Sequence, residues 1–320
     1  MSSGKKILVT GACGFIGKAI SVSPVSTDKM ILLANKSVCN NDQENVIFVN
    51  ADIEDGNALK KICEKHKPDV VIHCAGIAHQ KIGTIDQEEY FRINSFASEK
   101  LAMAAAAANP DVYFIFLSSI SVYGEKKAEE PVSEEDQCTP SSDYAQSKLD
   151  AESRLVALYR SGKLKKLDIL RLAPVYDQGW TLNLDKRVFV PKKIAYVKFG
   201  CGTQKMSAVS RQNVVDFVHH RIKQQTGSDS LFCRVLNVCD EKPYAFSEII
   251  NVFKDSRHHG DKLVIRVPLV VVWLVTRMVG WIFKAKKQWI YSCYDKLSCD
   301  LVFDNRKMLE TGFKPKHKLE

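Results

Sequence analysis

Seven apolar runs mark the chain: "KILVT" (6–10), "MILLA" (30–34), "VIFV" (46–49), "DVVIH" (69–73), "VYFIFLS" (112–118), "LDILRL" (167–172) and "RVLNV" (234–238). They are near-continuously apolar, the pattern of strands covered on both faces. Helical stretches lie between them: "GNALKKICEKH", the long "DQEEYFRINSFASEKLAMAAAAA" and "DYAQSKLDAESRLVALYR". The long one is alanine-rich and is closed by Asn109-Pro110. Strands alternating with helices predict an α/β protein with a doubly wound parallel sheet. Ligands of such sheets bind at the carboxyl ends of the strands.

The rhythm breaks after Arg171. Residues 176–210 are irregular and rich in Gly, Pro and Lys, and 241–320 lack regular alternation. The expected organisation is a sheet domain over 1–175, to which 211–240 returns, and a smaller substrate-binding lobe built from 176–210 and 241–320.

The turn after the first strand changes this picture from architecture to chemistry. "VTGACGFIG" spaces Gly11, Gly14 and Gly17 three and three, and Phe15-Ile16 opens a helix. Glycines there permit a tight turn and let backbone N–H groups approach a pyrophosphate at a helix N-terminus. The first domain is therefore expected to bind a dinucleotide. An acid after the second strand would hold the ribose hydroxyls of NAD. This chain has Asn35 and Lys36 there, which leans toward the 2′-phosphate of NADP, so NAD or NADP stays undecided. "NADIED", after the third strand, offers Asp52 and Ile53 to the adenine, although Asp52 equally suits a helix N-terminus.

Composition adds limits. The hydrophobic share of 45% and charged share of 26% are ordinary for a globular protein. A net charge of +9 suits an anionic substrate or an acidic membrane surface, but no concentrated basic patch points to nucleic acid. The ten cysteines form no Cys-x-x-Cys pair, so reduced thiols and no metal site are expected. "MSSGKKILVTG" lacks the apolar stretch of a secretory signal, which favours a cytoplasmic protein.

Tyr-x-x-x-Lys occurs three times: Tyr123–Lys127, Tyr144–Lys148 and Tyr159–Lys163. Tyr123 precedes Gly124 in a loop, and Gly162 interrupts the third pair. Tyr144 opens a long helix that Ser141, Ser142 or Asp143 can cap. Positions four apart share a helical face, so Tyr144 and Lys148 can serve one site. A free phenol ionises near pH ~10, and a neighbouring ammonium favours the phenolate. The bland alternative for Lys148 is a surface ion pair with Glu152, one turn on.

With these residues in view, the chain resembles the extended short-chain dehydrogenase/reductases, the NAD-dependent epimerase/dehydratase family. The resemblance runs through "TGACGFIG", "ADIED", "HCAGIAH" (73–79), "INS" (93–95), "FLSSISVYG" (116–124), "YAQSK", "RLAPVYDQG" (171–179) and "ETGFKPKHKLE". It implies a Rossmann-type fold and catalysis by Ser119, Tyr144 and Lys148. It adds Cys74, Ala75, Gly76 and Asn94 to the cofactor side. On the substrate side it implies His79, Ser119, Ser121 and Asn183. Where the family has an arginine this chain has Met206, with Lys205 beside it and Arg211 five on, either of which could compensate. Asp177 stands where a glycine usually follows "VY".

The implied activity is epimerisation or oxidoreduction at C4 of a nucleotide-linked sugar, UDP being the expected carrier, in a homodimer. Family dehydratases carry an Asp-Glu pair after the active serine. Ile120 and Ser121 stand there instead, which disfavours dehydration. A keto-sugar reductase, or a catalytically silent NAD(P)-binding sensor or scaffold, are the alternatives.

One stretch belongs to none of this. Residues 262–289, "KLVIRVPLVVVWLVTRMVGWIFKAKKQW", contain six Lys/Arg and no Asp/Glu. The apolar part is too short to span a bilayer. Two readings are open: a buried helix of the second lobe with Pro268 in its first turn, or a peripheral contact with an anionic membrane, Trp273 and Trp281 at the interface.

Overall fold

The computed structural model describes residues 4–22, 28–35, 45–78, 86–124, 130–178, 181–225, 230–283 and 287–320. Along the chain run β1 (Lys6–Thr10), α1 (Phe15–Ser21), β2 (Lys29–Ala34), β3 (Val46–Asn50), α2 (Gly56–His66), β4 (Val70–His73), α3 (Gln87–Phe91), α4 (Ala97–Ala108), β5 (Tyr113–Ser119), α5 (Asp143–Arg160) and β6 (Lys166–Leu172). There follow β7 (Val175–Tyr176), α6 (Leu182–Val188), β8 (Tyr196–Phe199), β9 (Lys205–Met206), β10 (Val209–Ser210), α7 (Arg211–Gln224), β11 (Phe232–Val238), β12 (Tyr244–Ala245) and α8 (Phe246–Asp255). The chain closes with β13 (Val264–Val267), α9 (Leu269–Ile282), α10 (Lys287–Ser298) and α11 (Arg306–Glu310).

All seven apolar runs become strands of one sheet, in the order β3-β2-β1-β4-β5-β6-β11. Pairing is parallel from β3 through β5. The order reverses between β1 and β4, which makes their carboxyl ends the topological switch point of a Rossmann-type sheet. One face of the sheet buries Leu8, Val71, Phe114 and Phe116 against Leu59, Leu101, Ala105 and Leu155 of the helices. The alanines of α4 let that helix lie close, and Ala102 and Ala105 are fully buried.

The chain divides into two units. The first takes Met1–Gly124, Cys138–Arg171 and Val214–Leu236; the second takes Glu125–Gln137, Leu172–Asn213 and Asn237–Glu320. The second has its own core of Tyr176, Leu184, Val188, Tyr196, Phe246, Ile249 and Phe253. Asp240 is its polar hub. It accepts from Ser210 N (3.0 Å), Asn213 Nδ2 (2.6 Å) and the hydroxyls of Tyr176 and Tyr244 (2.8 Å each). Asn213 also donates to the His317 carbonyl and so ties down the C-terminal tail.

Two expectations need correction. Cys13, in the β1–α1 turn, is disulfide-bonded, so the thiols are not uniformly reduced. The α9 segment is not a buried helix: Gly280 is its only buried residue. No helix among the described residues is long and apolar enough to cross a membrane.

Candidate active site

The β1–α1 turn depends on two glycines. Gly11 has φ +65°, and a Cβ there would lie 2.7 Å from Ala75 N, where the ends of β1 and β4 meet. A Cβ on Gly17 would lie 2.2 Å from the Gly11 carbonyl oxygen. The turn is therefore a close-packed backbone cradle at the start of α1, with Phe15 and Ile16 in the first turn and Gly14 as N-cap. The N-terminus of α1 there suits an anionic group.

Beside it, Asn35 Nδ2 donates to Asp52 Oδ2 at 2.8 Å, and Asp52 Oδ1 accepts from Glu54 N at 2.9 Å. The carboxylate and amide after β3 and β2 thus form one unit. Ile53 joins the hydrophobic core. Lys36 and His79 lie outside the described residues.

A buried relay positions the β4 turn. His73 is fully buried; its Nδ1 accepts from Thr10 Oγ1 (2.6 Å), which accepts from Ala75 N (3.2 Å). His73 Nε2 meets Ser98 Oγ (2.7 Å), which donates to the Asn94 carbonyl (2.7 Å). This order of donors fixes the proton on Nε2. Burial depresses His73 to about 3.

Asn94 sits on a π-helical turn, Arg92–Phe96, between α3 and α4. Its Oδ1 accepts from Ile77 N (2.8 Å), and its Nδ2 donates to the Ile77 carbonyl and to Ser147 Oγ (3.0 Å each). Ser147 in turn donates to the Tyr144 carbonyl at 2.9 Å. The Asn94 amide therefore clamps the Ala75–Ile77 turn to the first turn of α5. A Cβ on Gly76 would fall 2.8 Å from Asn94 Oδ1 and 3.4 Å from Lys148 Nζ.

Ser142 caps α5 by accepting from Ala145 N at 3.2 Å. The buried stripe of this helix carries Ala145, Ala151, Leu155 and Leu158, and with them the polar Ser147, Lys148 and Glu152. Lys148 Nζ donates to the Leu117 carbonyl at 3.0 Å and lies 4.7 Å from the Phe116 ring centroid. Burial pulls its pKa down to about 8, with Cys74 and Glu152 acting the other way. The Cys74 thiol is itself pushed up to about 12 by burial.

The Tyr144 phenol is raised by burial, an effect opposed by a hydrogen bond from Ser119. Ser119 is free to donate that bond, because its own oxygen accepts from Ser121 Oγ (2.9 Å) and Ser121 N (3.2 Å). Ser119, Ser121, Tyr144 and Lys148 are thus brought together at the ends of β5 and α5. In this arrangement the serine, rather than the ammonium, is what favours the phenolate.

The other two Tyr-x-x-x-Lys copies go elsewhere. Tyr123 is buried under the Arg171 guanidinium, 4.7 Å from its ring centroid, and Lys127 lies outside the described residues. After Tyr159 the helix ends, with Gly162 at φ +72° and Lys163 N bonded to the Leu158 carbonyl (3.0 Å).

The sequence reading missed the partner of Glu152. It does not pair with Lys148 on the surface. It is buried, takes Arg171 Nη2 at 2.7 Å and Nε at 3.2 Å, and accepts from Ser118 Oγ at 2.5 Å. The available signal was the helical stripe itself, since Lys148 and Glu152 share the face of Ala151 and Leu155.

In the second unit, a cavity of about 230 Å³ is lined by Tyr176, Asp177, Thr181, Ser210, His259 and Lys316 among others. Arg211, one of the two cations that could compensate for the missing arginine, forms an ion pair with Asp177, the residue that stands in place of the usual glycine. Met206 is buried in the core of this unit, Lys205 is exposed, and half-buried Asn183 stands in the first turn of α6. No cluster of metal-ligating side chains occurs among the described residues.

Residues 7–232 match the NAD dependent epimerase/dehydratase family. The chain belongs to that family. It is 28% identical to the UDP-glucose 4-epimerase of Vibrio cholerae over 99% of this chain and 92% of that protein. It is 32% identical to the mouse dTDP-D-glucose 4,6-dehydratase, over 47% of this chain and 45% of the other. The fold matches the UDP-glucose 4-epimerase of Thermotoga maritima, solved with UDP-glucose, with a TM-score of 0.72 and 22% identity over 98% and 94% of the two chains. The family is one of enzymes acting on nucleotide sugars, so the chain is an enzyme of the extended short-chain dehydrogenase/reductase type.

Proposed function

We propose that this enzyme interconverts C4 epimers, or oxidises and reduces C4, of a UDP-linked sugar with NAD or NADP. The observation that carries the reading is the convergence of Ser119, Tyr144 and Lys148 beside the glycine cradle. The cradle fits a dinucleotide, because its two tightest positions exclude any side chain. When bound, the oxidised nicotinamide brings a positive charge beside the phenol and accepts the hydride released from C4.

Tyr144 takes the proton of the C4 hydroxyl as general base. Ser119 donates its one hydroxyl proton to the phenolic oxygen while that oxygen is the base, and to the developing carbonyl once Tyr144 has taken up the C4 hydroxyl proton. Lys148, held by the Leu117 carbonyl, faces the ribose side and keeps the site positive below about pH 8. Gly11, Gly14, Phe15, Ile16 and Gly17 would hold the pyrophosphate. Asn35 and Asp52 would act as a pair toward the adenosine. Asn183 and Lys205 are the second unit's candidates for a carrier diphosphate.

Elimination of water from the sugar is not favoured. The turn after Ser119 is Ile120–Tyr123 and carries no acid–base pair. A keto-sugar reductase would use the same three catalytic residues, and product analysis separates the two. The protein is incubated with UDP-GlcNAc, UDP-GalNAc and UDP-Glc, each with NAD and with NADP. A C4-inverted sugar without net change in reduced cofactor identifies the epimerase; stoichiometric cofactor turnover identifies the oxidoreductase. Tyr144→Phe should abolish either activity while dinucleotide binding stays within about twofold. Binding without turnover in the wild type would leave only the sensor or scaffold reading.

A further inference from the structure

Helix α9 has the wrong side out for water. Its inward-facing positions are Leu269, Val272, Thr276, Val279 and Gly280, and the last sits against the Tyr291 ring of α10. Outside lie Val270, Val271, Trp273, Leu274, Val275, Met278, Trp281 and Ile282, with Arg277 the one charged residue among them. Trp281 is 77% exposed and Met278 65%. The apolar surface extends to Phe283 after the helix and to Leu263 and Ile265 beside it, all three exposed. Soluble proteins rarely leave a contiguous apolar patch of more than a few hundred Å² uncovered.

The charge of this stretch of sequence indicates what covers the patch. Residues 262–289 carry six Lys/Arg and no Asp/Glu. Arg266 is exposed between the apolar Ile265 and the start of α9, and the Arg277 guanidinium lies 4.0 Å from the Tyr291 ring centroid and 5.6 Å from that of Trp273. A two-fold contact between copies of this chain would set these like charges against each other. An anionic lipid surface neutralises them while it accepts the apolar face. The helix has 14 residues, or about 21 Å at 1.5 Å per residue, shorter than the ~30 Å hydrocarbon layer. It can lie in the membrane plane but cannot cross. Trp273 and Trp281 are of the type enriched at the headgroup level.

We infer that α9 is a peripheral anchor that seats the second unit on an anionic membrane surface. The inference does not depend on the sugar chemistry and stands if that reading fails.

The test is flotation of the full chain with vesicles of phosphatidylcholine containing about one third phosphatidylglycerol, against vesicles of phosphatidylcholine alone. At low salt the protein should float with the anionic vesicles at least about tenfold more than with the neutral ones, and high salt should reduce the difference. Tryptophan emission should shift to the blue on binding. The double variant Leu274→Glu/Trp281→Glu changes only exposed side chains and should lose flotation at least about tenfold while keeping the wild-type melting curve. Absence of flotation at low salt overturns the inference. So does equal flotation of the double variant, or a dimer in sedimentation that the double variant converts to monomer without any vesicle binding in the wild type.

Discussion

Single side chains decide the protonation states at this site. His73 is held neutral, with a folded value of about 3 against about 6.5 in an unfolded chain. Above pH ~6.5 both states are neutral and the residue has no effect on pH dependence. Below it the unfolded chain takes up a proton that the folded protein refuses, so stability falls as pH drops. The slope should reach about 1.4 kcal/mol per pH unit from this group between those two values. His73→Leu should flatten that segment in denaturant titrations. It should also lower stability at pH 8 by about 1–3 kcal/mol, because Thr10 and Ser98 lose partners. Glu152 makes the second case. Burial lowers Lys148, and the Glu152 carboxylate, after Cys74, is one of the two groups that act the other way and favour the ammonium. Glu152→Gln should move the alkaline limb of kcat/KM to lower pH, a readout that a merely structural role would leave in place. Both substitutions leave the Arg171 charge without its carboxylate in the interior; Glu152→Ala, which also removes the hydrogen-bond acceptor, should cost about 3–5 kcal/mol of stability.

Elements place these groups, and they differ in how readily sequence reveals them. The strands were legible because both faces of the sheet are covered, so each became an unbroken apolar run. The active helix was legible because Ser142 can cap it and Gly162 ends it. The π turn at Arg92–Phe96 was not: one extra residue in a helical ladder leaves no compositional mark, yet it sets Asn94 between Ile77 and Ser147. The family resemblance offers Asn94 to the cofactor side; the fold adds that its amide clamps two turns together. The start of α1 is legible from its glycines, and its tolerance is narrow. Gly17→Ala would drive a methyl into the Gly11 carbonyl, so the turn must shift. Overpacking of that kind costs about 1–3 kcal/mol. Dinucleotide affinity, measured by fluorescence titration, should fall by more than about tenfold, whereas Ser142→Ala should cost only about 1 kcal/mol of stability.

At the scale of the whole molecule, the first unit follows from periodicity while the second does not. Strands such as β7, β9, β10 and β12 are two residues long and carry no pattern that a sequence can display. Polar hubs like Asp240 hold that unit together, and some of their partners are distant in sequence: Ser210 lies 30 residues from Asp240 and Tyr176 lies 64. For α9 the sequence reads as core because apolar helices usually are, and only its exposure distinguishes the exception. The proposed nucleotide site lies in the first unit, so its binding can be tested apart from turnover. A ligand that binds only the folded state stabilises it by about 2.7 kcal/mol at a hundredfold excess over its dissociation constant. Thermal melts with saturating NAD or NADP should each be compared with the free protein; the nucleotide giving the larger shift is the working cofactor. Tyr144→Phe should keep that shift and lose turnover. Gly11→Val, which forces a side chain into Ala75 at a positive φ, should lose the shift itself. If neither nucleotide moves the wild-type melting temperature, the cradle does not hold a dinucleotide, and the proposed hydride chemistry has no carrier.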